Sequence, residues 1–209
     1  MEPSLEQAAK RPTERPATGI LKAAIFAATA LLLTAQPAAA YEVAGVKLPD
    51  TVQTQNATLQ LNGAGLRTKY LMFDVYVIGL YVPTKTDNAS TIIHDAAPRR
   101  VLMVMTRDLD TDTMVKAFHE GLDANSSAAE RQSLKPAIGK LDALFKQHGA
   151  IKKGDRIELD FAAGGATSII VNGQSQGTID DAQLSSALLS IWLGPHPVQN
   201  DLKKQLLHG

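Results

Sequence analysis

The sequence contains no cysteine, which excludes disulfides, thiolate metal sites, cysteine nucleophiles and a lipid-modified N-terminal cysteine. An excess of charge of one sign is also missing, because 21 basic and 21 acidic residues give a net charge of zero. Proteins that bind the nucleic-acid backbone carry a basic excess, so nucleic acid is not an expected partner. Hydrophobic residues make up 44% of the chain, too many for a disordered polar chain, so a packed core has to hold this fold together.

Motifs for metal, nucleotide and nucleophilic chemistry are missing as well. The five histidines are dispersed, and none is at metal-ligand spacing from another histidine or a carboxylate. No G-x-S-x-G occurs, and Gly63-Ala64-Gly65 precedes a predicted strand rather than a helix, which excludes a nucleotide-binding loop. Asp180-Asp181 is explained by capping of a helix. The sequence therefore predicts no metal ion and no cofactor.

The first 40 residues have the layout of a secretory signal peptide. Four basic residues between Lys10 and Lys22 precede an uncharged apolar run over 23–35, and Ala38-Ala39-Ala40 supplies an A-x-A cleavage site. That run is shorter than the roughly 20 residues that a helix needs to cross a bilayer core. We predict cleavage after Ala40, one domain over 41–209, a periplasmic or secreted location, and no stable membrane insertion of the mature chain. An uncleaved N-terminal anchor is the alternative.

Hydrophobic patterning of the mature chain begins with strands. Residues 57–82 predict two consecutive strands separated at Gly63-Ala64-Gly65, and residues 101–106 predict a third strand in the core. The second strand is apolar on both faces, so we expect it to be covered on both sides.

Helices and a hairpin follow these strands. Asp110 and Ser127 are predicted N-caps of two helices, the second of them kinked or divided at Pro136. Residues 157–161 predict a half-exposed strand, and Asn172-Gly173 predicts a hairpin turn. Two C-terminal helices are predicted over 183–193 and 200–207. Strands, helices, a hairpin and helices in this order indicate an α+β fold, not a doubly wound parallel sheet.

Arg67 is the candidate for a binding role, because it lies beside the most apolar stretch of the mature chain. A guanidinium there has to reach solvent or find an anion. One possible partner is an internal carboxylate such as Asp74, although in a regular strand the two side chains would point to opposite faces. The other is the anionic or carbonyl end of a bound apolar molecule.

Trp192 is the single tryptophan, within an apolar helical segment. It is either a core anchor, the commoner role of an aromatic side chain on such a helix, or a wall of a ligand cavity. The sequence leaves both open.

Three spaced motifs resemble the chalcone isomerase-like family, and closest to them is its exported bacterial branch. They are Leu61–Arg67 (G-x-G-x-R), Val75–Tyr81 (V-Y-V-x-G-L-Y) and Ala187–Gly194 (I-W-L-G), with Pro197-Val198 and Leu202-Lys203 after them. The resemblance runs over nearly all of the mature chain. It implies an open-faced β-sandwich, in which helices cover a large antiparallel sheet and a pocket lies between them. Plant members cyclise hydroxychalcones, while related plastid proteins bind fatty acids.

The resemblance also implies roles for individual residues. The family's catalytic arginine matches Arg67 and its threonine matches Tyr76, which keeps a hydroxyl but moves it outward. The tyrosine on the first long helix falls at Thr113 or Met114, so its phenol is absent, and the hydroxyl residue of the C-terminal helix is Ile191 here. The expected ligand-binding residues are Arg67, Tyr76, Met114, Ile191 and Trp192, and Arg67 and Tyr76 would be catalytic if the protein is active.

Three functions are compatible with these residues. The first is an exported protein that holds a small apolar ligand by its anionic or carbonyl end, of the fatty acid or polyphenol class. The second is an isomerase, an intramolecular lyase that cyclises a chalcone-like enone. The third is a structural or interaction module of the envelope, with Arg67 paired internally. Losing most oriented polar groups at a reacting oxygen removes much of a rate acceleration, which favours the first.

Overall fold

Seven antiparallel strands form the central sheet of the protein, seen in a computed structural model that describes residues 40–70 and 72–208. The sheet consists of β3 (Thr51–Gln53), β4 (Thr58–Lys69), β5 (Phe73–Val82), β6 (Arg99–Met105), β7 (Arg156–Phe161), β8 (Ala166–Val171) and β9 (Gln174–Asp180), in this order. A separate hairpin consists of β1 (Ala40–Val43) and β2 (Val46–Pro49). Apart from Ala40, the predicted signal peptide lies outside the described residues, so its cleavage stays a prediction.

Five helices complete the chain: α1 (Ala89–His94), α2 (Thr111–Asn125), α3 (Ala128–His148), α4 (Ala182–Leu193) and α5 (Asn200–Leu207). The predicted caps are confirmed, because Asp110 accepts a hydrogen bond from the backbone N–H of Thr113 and Ser127 forms a capping box with Glu130. None of the described helices has the length and apolar character needed to cross a bilayer.

The sheet is covered on both sides by unequal layers. On one face, Ile78, Leu80 and many other apolar side chains pack against the helices in the main core. On the other face, Val77 and Tyr81 pack in a smaller cluster with Leu48 of the β1–β2 hairpin. Helices thus cover one face of a large antiparallel sheet, which confirms the predicted α+β, open-faced β-sandwich, and β5 is apolar on both faces as its sequence indicates.

The predicted break at Gly63-Ala64-Gly65 is wrong. β4 runs continuously from Thr58 to Lys69, with only a register shift between Leu61 and Gly63. The glycines are needed for close packing. A Cβ on Gly63 would lie 2.2 Å from the backbone oxygen of Gln205, and one on Gly65 would lie 2.0 Å from the side-chain oxygen of the same residue. Because glycine has no side chain, Gly63 and Gly65 let α5 lie directly on β4.

Two other predictions are refined by the structure. α3 is one continuous helix with Pro136 inside it, so it is not divided there. The hairpin at Asn172-Gly173 is confirmed, since both residues have positive φ angles (51° and 76°), as a type I′ turn requires. Three short elements, α1, the β1–β2 hairpin and β3, are not among the predicted ones.

Candidate functional site

Arg67 and Tyr76 are directly opposed on neighbouring strands. They are register partners in the β4–β5 pair, and Tyr76 is in turn the partner of Met105 in β6. Leu66 and Val77 are the next opposed pair, and Gly65 and Ile78 are the one after it, on the same face as Arg67 and Tyr76; Ile78 belongs to the core under the helices. Because side chains alternate between faces along a strand, Arg67 and Tyr76 both point toward the helix-covered face. The sheet thus brings together two residues nine positions apart in the chain.

The Arg67 guanidinium is half-buried and has no carboxylate partner among the described residues. Its Nη1 donates to the backbone oxygen of Thr68 and, at 3.4 Å, to Oε1 of Gln199. The alternative partner, Asp74, is exposed and opposes Thr68 in the strand register. Neutral oxygens therefore satisfy one nitrogen of Arg67 without neutralising its charge.

A register shift marks the position of Arg67. The β4–β5 pairing slips between Arg67 and Thr68, and such irregularities bend a strand and re-aim the side chains beside them. The side chain of Gln199 forms hydrogen bonds with the backbone of β4 at this point. Its Oε1 accepts from the backbone N–H of Thr68 at 3.0 Å, and its Nε2 donates to the backbone oxygen of Leu66 at 3.4 Å. Gln199 was not a predicted site residue, because nothing in its local sequence links it to a strand more than 130 residues earlier.

Tyr76 and Trp192 are joined by a hydrogen bond between sheet and helix. Trp192 Nε1, in α4, donates to the Tyr76 hydroxyl at 2.9 Å. Burial raises the pKa of Tyr76 above its ordinary value, although the hydrogen bond from Trp192, and the positive charge and hydrogen bond of Arg67, act in the opposite direction. The Tyr76 hydroxyl therefore stays protonated at neutral pH.

Several donors at this site have no acceptor within the described part of the protein. The Tyr76 oxygen accepts from Trp192, but its own proton is not donated to any described residue. Likewise, the Arg67 guanidinium donates through Nη1 to Thr68 and Gln199 and also interacts with the Tyr76 oxygen, which leaves part of its five-donor fork without an acceptor there. A guanidinium fork and a neutral hydroxyl side by side can bind the two oxygens of a carboxylate, or one carbonyl oxygen.

The three apolar residues expected at the site are packed into the core. Met114, Ile191 and Trp192 are 4%, 3% and 2% exposed, and the Trp192 ring meets Phe118 edge-on with centroids 6.3 Å apart. Trp192 thus serves as a core anchor that also reaches Tyr76. Entry of an apolar chain beside these residues requires them to move, for which the flexible Met114 side chain is suited.

Two polar residues of α2, Thr113 and Asn125, have local structural roles. Thr113 bonds to Asp110 at the start of α2. The side chain of Asn125 bonds to Gly121 and to both backbone groups of His196, and so ties the end of α2 to the segment after α4. Neither of them is therefore a third polar partner of Arg67 and Tyr76.

Two open surface depressions lie beside α5. One of about 480 Å³ is lined by Asp87, Lys203 and residues near them, and another of about 460 Å³ is lined by Tyr41, Gly65, Lys204 and their neighbours. Neither is lined by Arg67, Tyr76 or Trp192.

Comparison with known proteins supports the resemblance seen in the sequence. The chalcone isomerase-like family profile matches residues 40–208. A crystal structure of a fatty-acid binding protein from Arabidopsis thaliana aligns with a TM-score of 0.64 at 18% identity, covering 78% of this chain and 92% of that protein. At this identity the likeness shows the fold. No curated protein matches the sequence. The family match spans both strands and both helices that contribute to the site, and the chain therefore belongs to the chalcone isomerase-like family.

Proposed function

We propose that this protein binds a small apolar carboxylic acid of the fatty acid class, with Arg67 and Tyr76 holding its carboxylate. The observation that carries this is the opposed Arg67–Tyr76 pair, which has unused donors and no carboxylate of its own among the described residues. A charge that is half-buried and unneutralised costs free energy, and an anionic ligand would remove that cost.

The role of Tyr76 in this proposal is that of a neutral donor. Because burial raises its pKa, the hydroxyl keeps its proton and donates to the ligand, while Trp192 fixes its orientation from α4. Arg67 supplies the charge and the second donor. The apolar chain would lie between sheet and helices, beside Met114, Ile191 and Trp192. The fatty-acid binding protein with the same fold supports this class of ligand.

An isomerase would use the same two donors, Arg67 and Tyr76, but the further polar groups of the plant enzymes are missing here. An enone that cyclises develops negative charge on its carbonyl oxygen, which Arg67 and Tyr76 could face. The positions that carry further polar groups in plant isomerases hold Met114 and Ile191, or a threonine bonded to its own helix cap. These residues leave isomerisation less supported than binding.

The proposed place of action is outside the cytoplasm, as in the exported bacterial branch. The support is the order of basic residues, apolar run and A-x-A site over residues 1–40.

Mass spectrometry of lipids extracted from the purified protein tests the proposal. The protein is then delipidated and titrated with laurate and palmitate. We expect carboxylic acids in the extract and saturable binding of at least one of the two acids. The matching methyl esters, which lack the negative charge, should bind more weakly. An empty protein that binds neither acid after delipidation contradicts the proposal.

Tyr76→Phe is expected to weaken binding of the acid about fivefold, because one neutral hydrogen bond contributes about 1 kcal/mol. It should also lower the stability modestly, since Trp192 Nε1 loses its acceptor. Tyr41→Phe is the matched control, as Tyr41 is exposed on β1. Calorimetric titration measures the affinity. Equal affinities of the two variants would show that the Tyr76 hydroxyl does not touch the ligand.

A further inference from the structure

The turn between β4 and β5 exposes a cluster of large apolar side chains. Tyr70, Met72 and Phe73 are 78%, 77% and 47% exposed, and they account for three of the four exposed large hydrophobic residues within the described chain. We call these three residues the β4–β5 tip. Isolated apolar residues are common on protein surfaces, but several large ones in one turn mark an interaction surface.

The conformation of the tip is unusual for its residue types. Tyr70 has a φ of +56°, in the left-handed region that favours glycine or asparagine. A tyrosine in that conformation which stays exposed adds nothing to the packing of the core. Its presence at this turn is therefore not explained by the stability of the fold.

Cations surround the base of the tip. Lys69 Nζ lies 5.5 Å from the centre of the Tyr70 ring, and the guanidinium carbon of Arg107 lies 5.5 Å from that of Phe73. The turn 152–155 lies at the same end of the sheet, because Gly154 donates to the backbone oxygen of Met105, and it adds the exposed Lys153. Lys69, Arg107 and Lys153 have no salt bridge among the described residues. Of the acidic side chains beside them, Asp108 pairs with Lys152, Asp155 accepts from the backbone N–H of Lys152, and Asp74 directly follows the tip.

We propose that the β4–β5 tip docks on the surface of an anionic phospholipid bilayer. Aromatic side chains with a polar end, such as Tyr70, favour the headgroup level, and lysine and arginine next to an anionic surface add electrostatic attraction. Met72 and Phe73 would enter the acyl boundary, while the cations contact the headgroups.

The size of the tip favours a bilayer over a second copy of the chain. Three side chains exposed to this extent offer on the order of 400 Å² of accessible surface. This is about half of the surface that each partner buries in a standard protein interface. A bilayer has no such requirement, because a few inserted side chains assisted by charge are enough for reversible binding.

Docking at the tip would bring the candidate site to the membrane. Arg67 and Tyr76 each lie three residues from the tip along their strands, which is roughly 10 Å in extended backbone. An apolar acid could then pass between the bilayer and the site without crossing water. This last step rests on the proposed function, whereas docking itself does not.

Flotation with vesicles tests the docking. The full mature chain is mixed with vesicles of phosphatidylcholine alone, or of phosphatidylcholine with phosphatidylglycerol. We expect binding to the anionic vesicles only, reduced at least about tenfold in the double variant Tyr70→Ser, Met72→Ser and weakened by salt. The control is Tyr41→Ser, which removes the exposed aromatic residue outside the tip and should bind like the wild type.

Three outcomes would overturn the docking. The first is no vesicle binding by the wild type, and the second is equal binding by the double variant. The third is a concentration-dependent dimer in sedimentation experiments that the double variant abolishes. That result would make the tip a contact between copies of the chain. Unchanged unfolding midpoints establish that the variants are folded. Arg67→Ala should still float with the vesicles, and the double variant should still bind laurate in solution. Failure of docking and failure of acid binding are therefore distinguishable.

Discussion

Arg67→Ala is expected to weaken the binding of a long-chain fatty acid by about 2 kcal/mol or more, roughly 30-fold in Kd. The guanidinium is half-buried, has no carboxylate partner in the described chain and has more N–H donors than its contacts with Thr68, Gln199 and Tyr76 use. Removing it leaves the ligand's carboxylate facing the Tyr76 hydroxyl alone. Calorimetric titration of the delipidated variant with laurate measures the loss.

Two controls separate the anchor from a general effect of losing an arginine. Arg131→Ala removes an arginine that pairs with Asp123 on the surface between α2 and α3, and should leave the affinity unchanged. Titration with the methyl ester of laurate completes a thermodynamic cycle of two proteins and two ligands. The affinities of the wild type and Arg67→Ala should differ far less for this ligand, because it has no charge. If Arg67→Ala binds laurate as tightly as the wild type, Arg67 does not anchor the ligand.

Arg67→Lys provides a further comparison for the same site. A lysine keeps the charge but replaces the planar fork by a point charge with no fixed geometry. An intermediate affinity is therefore expected if the carboxylate is held by two donors of the guanidinium.

Gly63→Ala is expected to destabilise the protein by about 3 kcal/mol. The added Cβ would lie 2.2 Å from the backbone oxygen of Gln205 and 2.7 Å from two backbone atoms of Leu206. Backbone cannot rotate away as the end of a side chain can, so α5 has to move off β4. That movement exposes Leu202 and Leu206, which are buried in the core. Urea unfolding measures the change.

Gly139→Ala is the matched control for this prediction. Gly139 lies in α3, and a Cβ there would meet nothing within 4 Å. Alanine favours a helix over glycine, so this variant should gain about 0.5–1 kcal/mol. A Gly63→Ala variant as stable as the wild type would mean that α5 does not pack on β4 as closely as described.

Local sequence signals predicted most of the elements. Asp110 and Ser127 cap the helices that they were expected to cap, and Asn172-Gly173 forms the hairpin turn. β7 alternates buried and half-buried residues, as Ile157, Leu159 and Phe161 indicate. These signals succeed because capping and strand alternation depend on residues within a few positions of one another.

The glycines Gly63 and Gly65 were wrongly predicted to break the strand, because the residues that require them lie far away in the chain. A glycine pair usually indicates a turn, but here α5 needs the empty space that they leave on β4. Gln199 was missed for a similar reason. Its bonds are to Leu66, Arg67 and Thr68, and no local pattern reveals a contact over that separation.

The sequence by itself determined the α+β class and the apolar faces of β5, and it identified Arg67 and Tyr76 as candidate site residues. It could do so because periodicity, caps and spaced motifs are properties of short segments. Only the tertiary structure decided that these two side chains are opposed on one face, that Trp192 bonds to the Tyr76 hydroxyl, and that neutral oxygens, not a carboxylate, accept from Nη1 of Arg67. The physical reason is that the pairing of strands and the packing of helices on them depend on the whole chain, and they alone set which polar groups are left with donors to offer a ligand.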